Sequence, residues 1–138
     1  MRAAGLSAAK VAYLRDLCAK VLTGEVDLET LGTVSDEEAV QSLLSIKGIG
    51  RWTAEMFLIF ALGLKHVVSL GDIGLQRAAK WVYDMEERSD RKYLQQVEHL
   101  WAPYGSIASL YLWEAINAGH VDSGETLEQR CTKSHETL

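Results

Sequence analysis

The sequence predicts an all-α fold, a compact multi-helix array of about six or seven short helices. Three observations predict it. Apolar residues recur at three- and four-residue intervals, and no alternating run is long enough for a strand. A single proline, Pro103, stands in a chain of 138 residues, so little interrupts those intervals. Helix-start residues (Ser7, Ser35, Asp72) and glycine stops (Gly24, Gly63, Gly119) bracket the periodic stretches.

Each element follows from these signals. Ser7 caps a helix to about Leu22, with Val11, Leu14, Cys18, Val21 and Leu22 on one face. Leu28 to Leu31 makes a short helical turn. Ser35-Asp36-Glu37-Glu38 is a capping box, opening a helix over about Asp36–Ser45. Two glycines then form a hairpin, and a second helix runs from about Arg51 to Leu62, which makes a helix-hairpin-helix motif. Lys65 to Gly71 is a loop. Asp72 caps a helix continuing through Trp81 or Tyr83. Met85 to Asp90 is a charged link. A helix over about Asp90–Trp101 stops before Pro103. Tyr104 or Ser106 opens a helix to about Ala118. Trp81, Trp101, Trp113, Tyr104 and Tyr111 sit at helical spacings and are expected in the core. Residues 1–119 form one domain, and 120–138 read as a loose polar tail.

Composition narrows the function. Hydrophobic residues make up 48% and charged residues 24%, the balance of a globular protein with its own core. The longest apolar run, Met56–Leu62, is too short to span a bilayer, and the first residues lack a signal-type apolar core. The expected location is cytoplasmic or nucleoid-associated, with no membrane partner. Cys18 and Cys131 form no CxxC, and His66, His99, His120 and His135 are scattered, so no metal constellation is expected. The net charge of −5 argues against holding nucleic acid by bulk electrostatics.

The stretch Leu43-Leu44-Ser45-Ile46-Lys47-Gly48-Ile49-Gly50-Arg51-Trp52-Thr53-Ala54 offers another way. Gly-Ile-Gly exposes main-chain N–H groups in a turn leading into a helix N-terminus, which is an anion site that needs no basic patch. Glycine allows a phosphate backbone to approach closely. Lys47, Gly48, Ile49, Gly50, Arg51 and Thr53 are the candidate phosphate contacts; a purely structural turn is the alternative. Glu55, one turn after Arg51, reads as a solvated helix partner. Asp72 is first a helix cap. A carboxylate there sits at the positive end of the helix dipole, which favours its ionised form.

Three motifs stand in order: Ile46-Lys47-Gly48-Ile49-Gly50-Arg51-Trp52-Thr53-Ala54, then Gly71-Asp72-Ile73-Gly74, then Trp101-Ala102-Pro103-Tyr104-Gly105-Ser106-Ile107-Ala108 with Tyr111-Leu112-Trp113. Together with Gly5-Leu6-Ser7, Lys10 and Tyr13-Leu14-Arg15 they resemble the helix-hairpin-helix DNA glycosylases, specifically the 3-methyladenine DNA glycosylase II branch. The resemblance covers about residues 3–118. It implies a base-excision repair enzyme acting on double-stranded DNA with alkylated bases, with Asp72 as the catalytic carboxylate and no cofactor. It implies a monovalent cation on the carbonyls of the 46–51 hairpin. Bifunctional relatives carry a lysine where this chain has Trp52, so the resemblance implies base removal without strand cleavage. Trp52 and Tyr13 are candidates for the base pocket. For Trp52, stacking on an extruded base and core packing stand side by side.

The resemblance also implies a chain that is N-terminally short relative to the family. The expected state is a monomer, or one half of an assembly whose other half is supplied separately. Many relatives carry proline at the position of Ser69 and arginine at that of Gly105. The alternative reading is a non-catalytic helix-hairpin-helix DNA-binding module or a truncated glycosylase fragment.

Overall fold

The computed structural model describes residues 5–85 and 93–135, the last three as backbone only. Every regular element among them is helical: α1 (Ala8–Leu22), α2 (Asp36–Leu44), α3 (Arg51–Phe60), α4 (Ile73–Val82), α5 (Tyr93–Val97), a 3-10 turn (Glu98–Trp101), α6 (Gly105–Asn117) and α7 (Leu127–His135). The all-α expectation holds. The chain divides into two units, Met1–Leu64 and Lys65–Leu138.

In the first unit, helix starts follow the predicted caps. Ser7 accepts from the Lys10 amide, and Ser35 and Glu38 form the reciprocal capping box. Thr23 and Gly24 close α1, Gly24 with φ at 75°. The stripe expected to bury α1 does not do so. No residue of α1 is buried, and Leu22 is 87% exposed. Leu28 to Leu31 is a run of turns, with Leu31 at its end and Val26 just before it buried in the interior. Helices α2 and α3 pack on each other through Ala39, Val40 and Leu43 on one side and Ala54, Leu58 and Ile59 on the other. Ile46, in the turn between them, is 2% exposed and pins the hairpin to that core.

The second unit is built on α4. Leu75, Ala78 and Ala79 pack with Tyr93, Leu94, Val97 and Leu112, edged by Trp101, Trp113 and Ile116. Two of the aromatics expected there point outward instead: Tyr104 is 57% exposed and Tyr111 is 75% exposed. The single helix expected over Asp90–Trp101 is α5 followed by a 3-10 turn. Its first residues, and the charged link through 86–90, lie outside the described residues.

The loose tail needs correction. Residues 127–135 form α7. The Thr126 amide donates to Gln129 Oε1 at 2.9 Å, and the Gln129 amide donates to Thr126 Oγ1 at 3.3 Å, a second reciprocal box. The segment is strapped to α4, because Trp81 Nε1 donates to the Glu125 carbonyl at 2.8 Å and Arg77 pairs with Asp122 at 3.3 Å. These polar ties stand in for the apolar face the segment lacks. Among the described residues, no helix is long and apolar enough to cross a membrane.

Candidate functional site

The hairpin is assembled from two consecutive tight turns. The Ile46 amide donates to the Leu43 carbonyl at 3.1 Å, and the Ile49 amide donates to the Ile46 carbonyl at 3.1 Å. Gly48 takes φ = 87°, in the left-handed region where a side chain is strained. Helix α1 buttresses the turn at two points. The Lys47 amide donates to Asp16 Oδ2 at 2.7 Å, and the Tyr13 ring lies directly against the α-carbon of Gly48. Gly50 is the N-cap of α3 and provides no side-chain cap, in contrast to Ser7, Ser35 and Asp72. The first turn of α3 therefore presents its amides and its positive dipole end without a capping side chain of its own.

The candidate contacts differ in their surroundings. Lys47, Gly48, Gly50 and Thr53 are exposed, and Ile49 is half-buried. Trp52 is 55% exposed, which decides against core packing for it. Tyr13 is turned to the hairpin, a packing role that its spacing did not suggest. Arg51 is exposed but committed. Its guanidinium bonds both oxygens of Glu37, at 2.8 and 3.4 Å, and Glu55 at 3.1 Å. The Arg51 bond pulls the Glu37 carboxyl below its usual range, and the Glu37 bond raises Arg51 in turn. Glu55 is not the solvated partner expected; it is 6% exposed and buried in α3.

The carbonyls of Ile46 and Gly50 each accept one amide hydrogen, from Ile49 and Ala54, and each keeps a second lone pair. Neutral main-chain oxygens of that kind suit a hard cation.

Asp72 is held from several sides within the second unit. Its Oδ1 accepts from the Leu75 amide at 2.8 Å, its amide donates to the Ser69 carbonyl at 3.0 Å, and its carbonyl accepts from Gln76 at 3.0 Å. Gln76 Nε2 donates to the Leu70 carbonyl at 2.7 Å, closing the loop behind it. Gly74 leaves room for the carboxylate: a methyl group there would fall 3.0 Å from Asp72 Oδ1. Asp72 as a whole is half-buried. The cap reading of Asp72 is correct as geometry.

Gly105 is a packing glycine. A methyl group there would fall 2.5 Å from Val68 Cγ2 and 2.9 Å from the His66 carbonyl oxygen, so the loop and α6 approach too closely for a longer residue. Asp16 and Ser106 make long-range contacts that no local pattern signalled. Ser106 bonds Val67 from thirty-nine positions away.

No family model matches the chain. It is similar to DNA-3-methyladenine glycosylase 1 of Schizosaccharomyces pombe, 32% identical over 115 residues that cover 83% of this chain and 50% of that protein. A crystal structure of a DNA-3-methyladenine glycosidase from Bacillus halodurans superposes with a TM-score of 0.82 and 41% identity, over 95% of this chain and 60% of that one. A structure of the S. pombe 3-methyladenine DNA glycosylase in complex with abasic DNA superposes with a TM-score of 0.70 and 32% identity, over 83% of this chain and 56% of that one. The chain spans between 37% and 50% of the first three curated relatives it matches. The hairpin, the capping Asp72 and these matches lead to one assignment: the chain belongs to the helix-hairpin-helix DNA glycosylase superfamily.

Proposed function

We propose that this chain carries out base excision on double-stranded DNA, hydrolysing the N-glycosidic bond of alkylated purines such as 3-methyladenine. The observation that carries this reading is Asp72, fixed at the N-terminus of α4 by the Leu75 amide in a chain similar to 3-methyladenine glycosylases. The hairpin amides around Gly48 and Gly50 hold a phosphate, and the carbonyls of the 46–51 turn would hold a monovalent cation that offsets its charge. Few phosphate contacts suit a chain of net charge −5.

The chemistry follows from a fixed carboxylate. As the bond from C1′ to the base lengthens, its electron pair leaves with the base and positive charge builds on the sugar. The Asp72 carboxylate, at the N-terminus of α4, stabilises that charge. An alkylated purine already carries positive charge, so it departs as a neutral base without a strong acid on the protein. Water then attacks C1′ and passes its proton to the surrounding solvent, leaving an abasic site. Trp52 has no amine to form a Schiff base, so the strand stays intact. Its exposed indole stacks on the extruded, electron-poor base.

The test is release of 3-methyladenine from alkylated duplex DNA by the wild type and by Asp72→Asn. Release by the wild type, at least 100-fold slower in the variant, is the expected result. Equal rates would remove Asp72 from the reaction. Duplex binding with no release by either protein would favour the non-catalytic binding module, and a borohydride-trapped adduct would overturn the monofunctional reading.

A further inference from the structure

The third sequence motif, Tyr104-Gly105-Ser106-Ile107-Ala108, has no part in the chemistry above, yet its serine is among the most buried polar residues of the chain. Ser106 is 2% exposed. Its amide, an orphan donor in the first turn of α6, donates to the Lys65 carbonyl at 2.9 Å. Its hydroxyl accepts from the Val67 amide at 3.0 Å and donates to the Val67 carbonyl at 3.1 Å. One residue thus binds three main-chain groups of the loop that ends at Asp72. Tyr104, the N-cap of α6, makes no side-chain cap bond, so this helix start is tied to the loop through Ser106 instead.

The loop continues as a fixed run. Gly105 allows the main chain at His66 and Val68 to lie against α6. Ser69 is fully buried, and its carbonyl accepts the Asp72 amide at 3.0 Å. Asp72 then caps α4. Ser106 fixes the near end of this run at Lys65 and Val67, and Asp72 stands at the far end, where α4 begins. With the Ser106 hydroxyl removed, the amide and the carbonyl of buried Val67 lose the one group that serves both.

We propose that Ser106 is a positioning residue: its hydroxyl and amide clamp Lys65 and Val67 and thereby set the place of the Asp72 carboxylate. The inference rests on the reading of Asp72 as the reacting carboxylate. A displacement of about 1 Å in a catalytic group is enough to cost a hundredfold in rate.

The experiment compares the full-length wild type, Ser106→Ala, Ser106→Cys and Ser109→Ala. Ser109 is the control: it is fully buried in the same helix, but its hydroxyl turns back on that helix, donating to the Gly105 carbonyl at 2.9 Å. Two quantities are read. One is amide hydrogen exchange over residues 67–72, with the hairpin amides as internal reference. The other is kcat and KM for base release from alkylated duplex. Ser106→Ala is expected to exchange at least tenfold faster over 67–72 and to lose about ten- to a hundredfold in kcat, with KM within twofold. Ser109→Ala is expected to change neither beyond twofold, whatever its melting temperature. Ser106→Cys, a close isostere with a weak donor, falls between them and stands in if the alanine variant does not fold.

Unchanged exchange over 67–72, or a kcat loss no greater than that of Ser109→Ala, overturns the proposal. If the wild type releases no base, the exchange result alone decides the clamp: faster exchange over 67–72 sustains it, and only the glycosylase reading falls.

Discussion

The ring of Tyr13 occupies the space that a side chain at Gly48 would need: a methyl group on Gly48 would fall 2.4 Å from Tyr13 Cδ2. Helix α1 thereby sets the shape of the hairpin, and two costs separate at one position. Gly48→Ala meets the ring and also a φ of 87°, which alone costs about 1–2 kcal/mol for a residue with a side chain. The variant is expected to melt lower and to bind duplex DNA at least tenfold more weakly. Adding Tyr13→Ala should restore the part due to the ring and leave the backbone part. A double-mutant cycle on melting temperature and duplex affinity reads the split.

Lys47 and Arg51 are both cations of the hairpin, but only Arg51 is committed to Glu37 and Glu55. Lys47→Met is expected to weaken duplex binding evenly across sequences and to lower the salt slope by about 1. Arg51→Met is expected to leave the salt slope unchanged. It should instead lower stability by about 1–2 kcal/mol, because buried Glu55 loses the hydrogen bond from the guanidinium. A titration of affinity against salt, beside chemical denaturation, separates the two.

Glu37 and Glu38 both titrate below the ordinary carboxyl value of 4.5, Glu37 chiefly through Arg51 and Glu38 chiefly through the Ser35 hydroxyl. Each folded-state value lies below the unfolded one. Their contribution to stability is therefore present above pH 4.5 and is lost as pH falls through the lowered values. Ser35→Ala should return Glu38 toward 4.5 and leave Glu37 in place, as followed by carbon-detected NMR of the carboxyl groups.

Gly74 sits in the first turn of α4, where alanine would ordinarily gain up to about 1 kcal/mol of helix propensity. A methyl group there meets Asp72 Oδ1 at 3.0 Å and Ile116 Cδ1 at 3.3 Å. Gly74→Ala is expected to keep its melting temperature within a few degrees while base release falls about tenfold, by displacement of the carboxylate. Unchanged turnover would show that the carboxylate tolerates the shift.

What the sequence made legible was local. Ser7, Ser35 and Asp72 announce helix starts because a cap is a matter of three or four neighbouring residues. Gly48 and Gly50 announce the turn for the same reason. The Thr126–Gln129 box that opens α7 is equally local, but the segment has no apolar period, so hydropathy alone reads it as a tail. Other features depend on distance along the chain. Arg51 finds Glu37 fourteen positions back, and the Lys47 amide finds Asp16 thirty-one positions back. Neither pair leaves a periodic trace. The stripe on α1 misled in the opposite sense, since spacing reports an apolar face but not whether anything covers it; Leu14 is 40% exposed and Val21 is 37% exposed.

The tie from Ser106 to Val67 also orders events in time. The ribosome releases Val67 thirty-nine residues before the serine that fastens it. Both hairpin helices are complete by Phe60. During synthesis, then, the hairpin sequence is complete well before the loop that leads to Asp72 can be anchored. A nascent chain paused short of residue 106 already contains both hairpin helices, while the loop before Asp72 still lacks the serine that ties it.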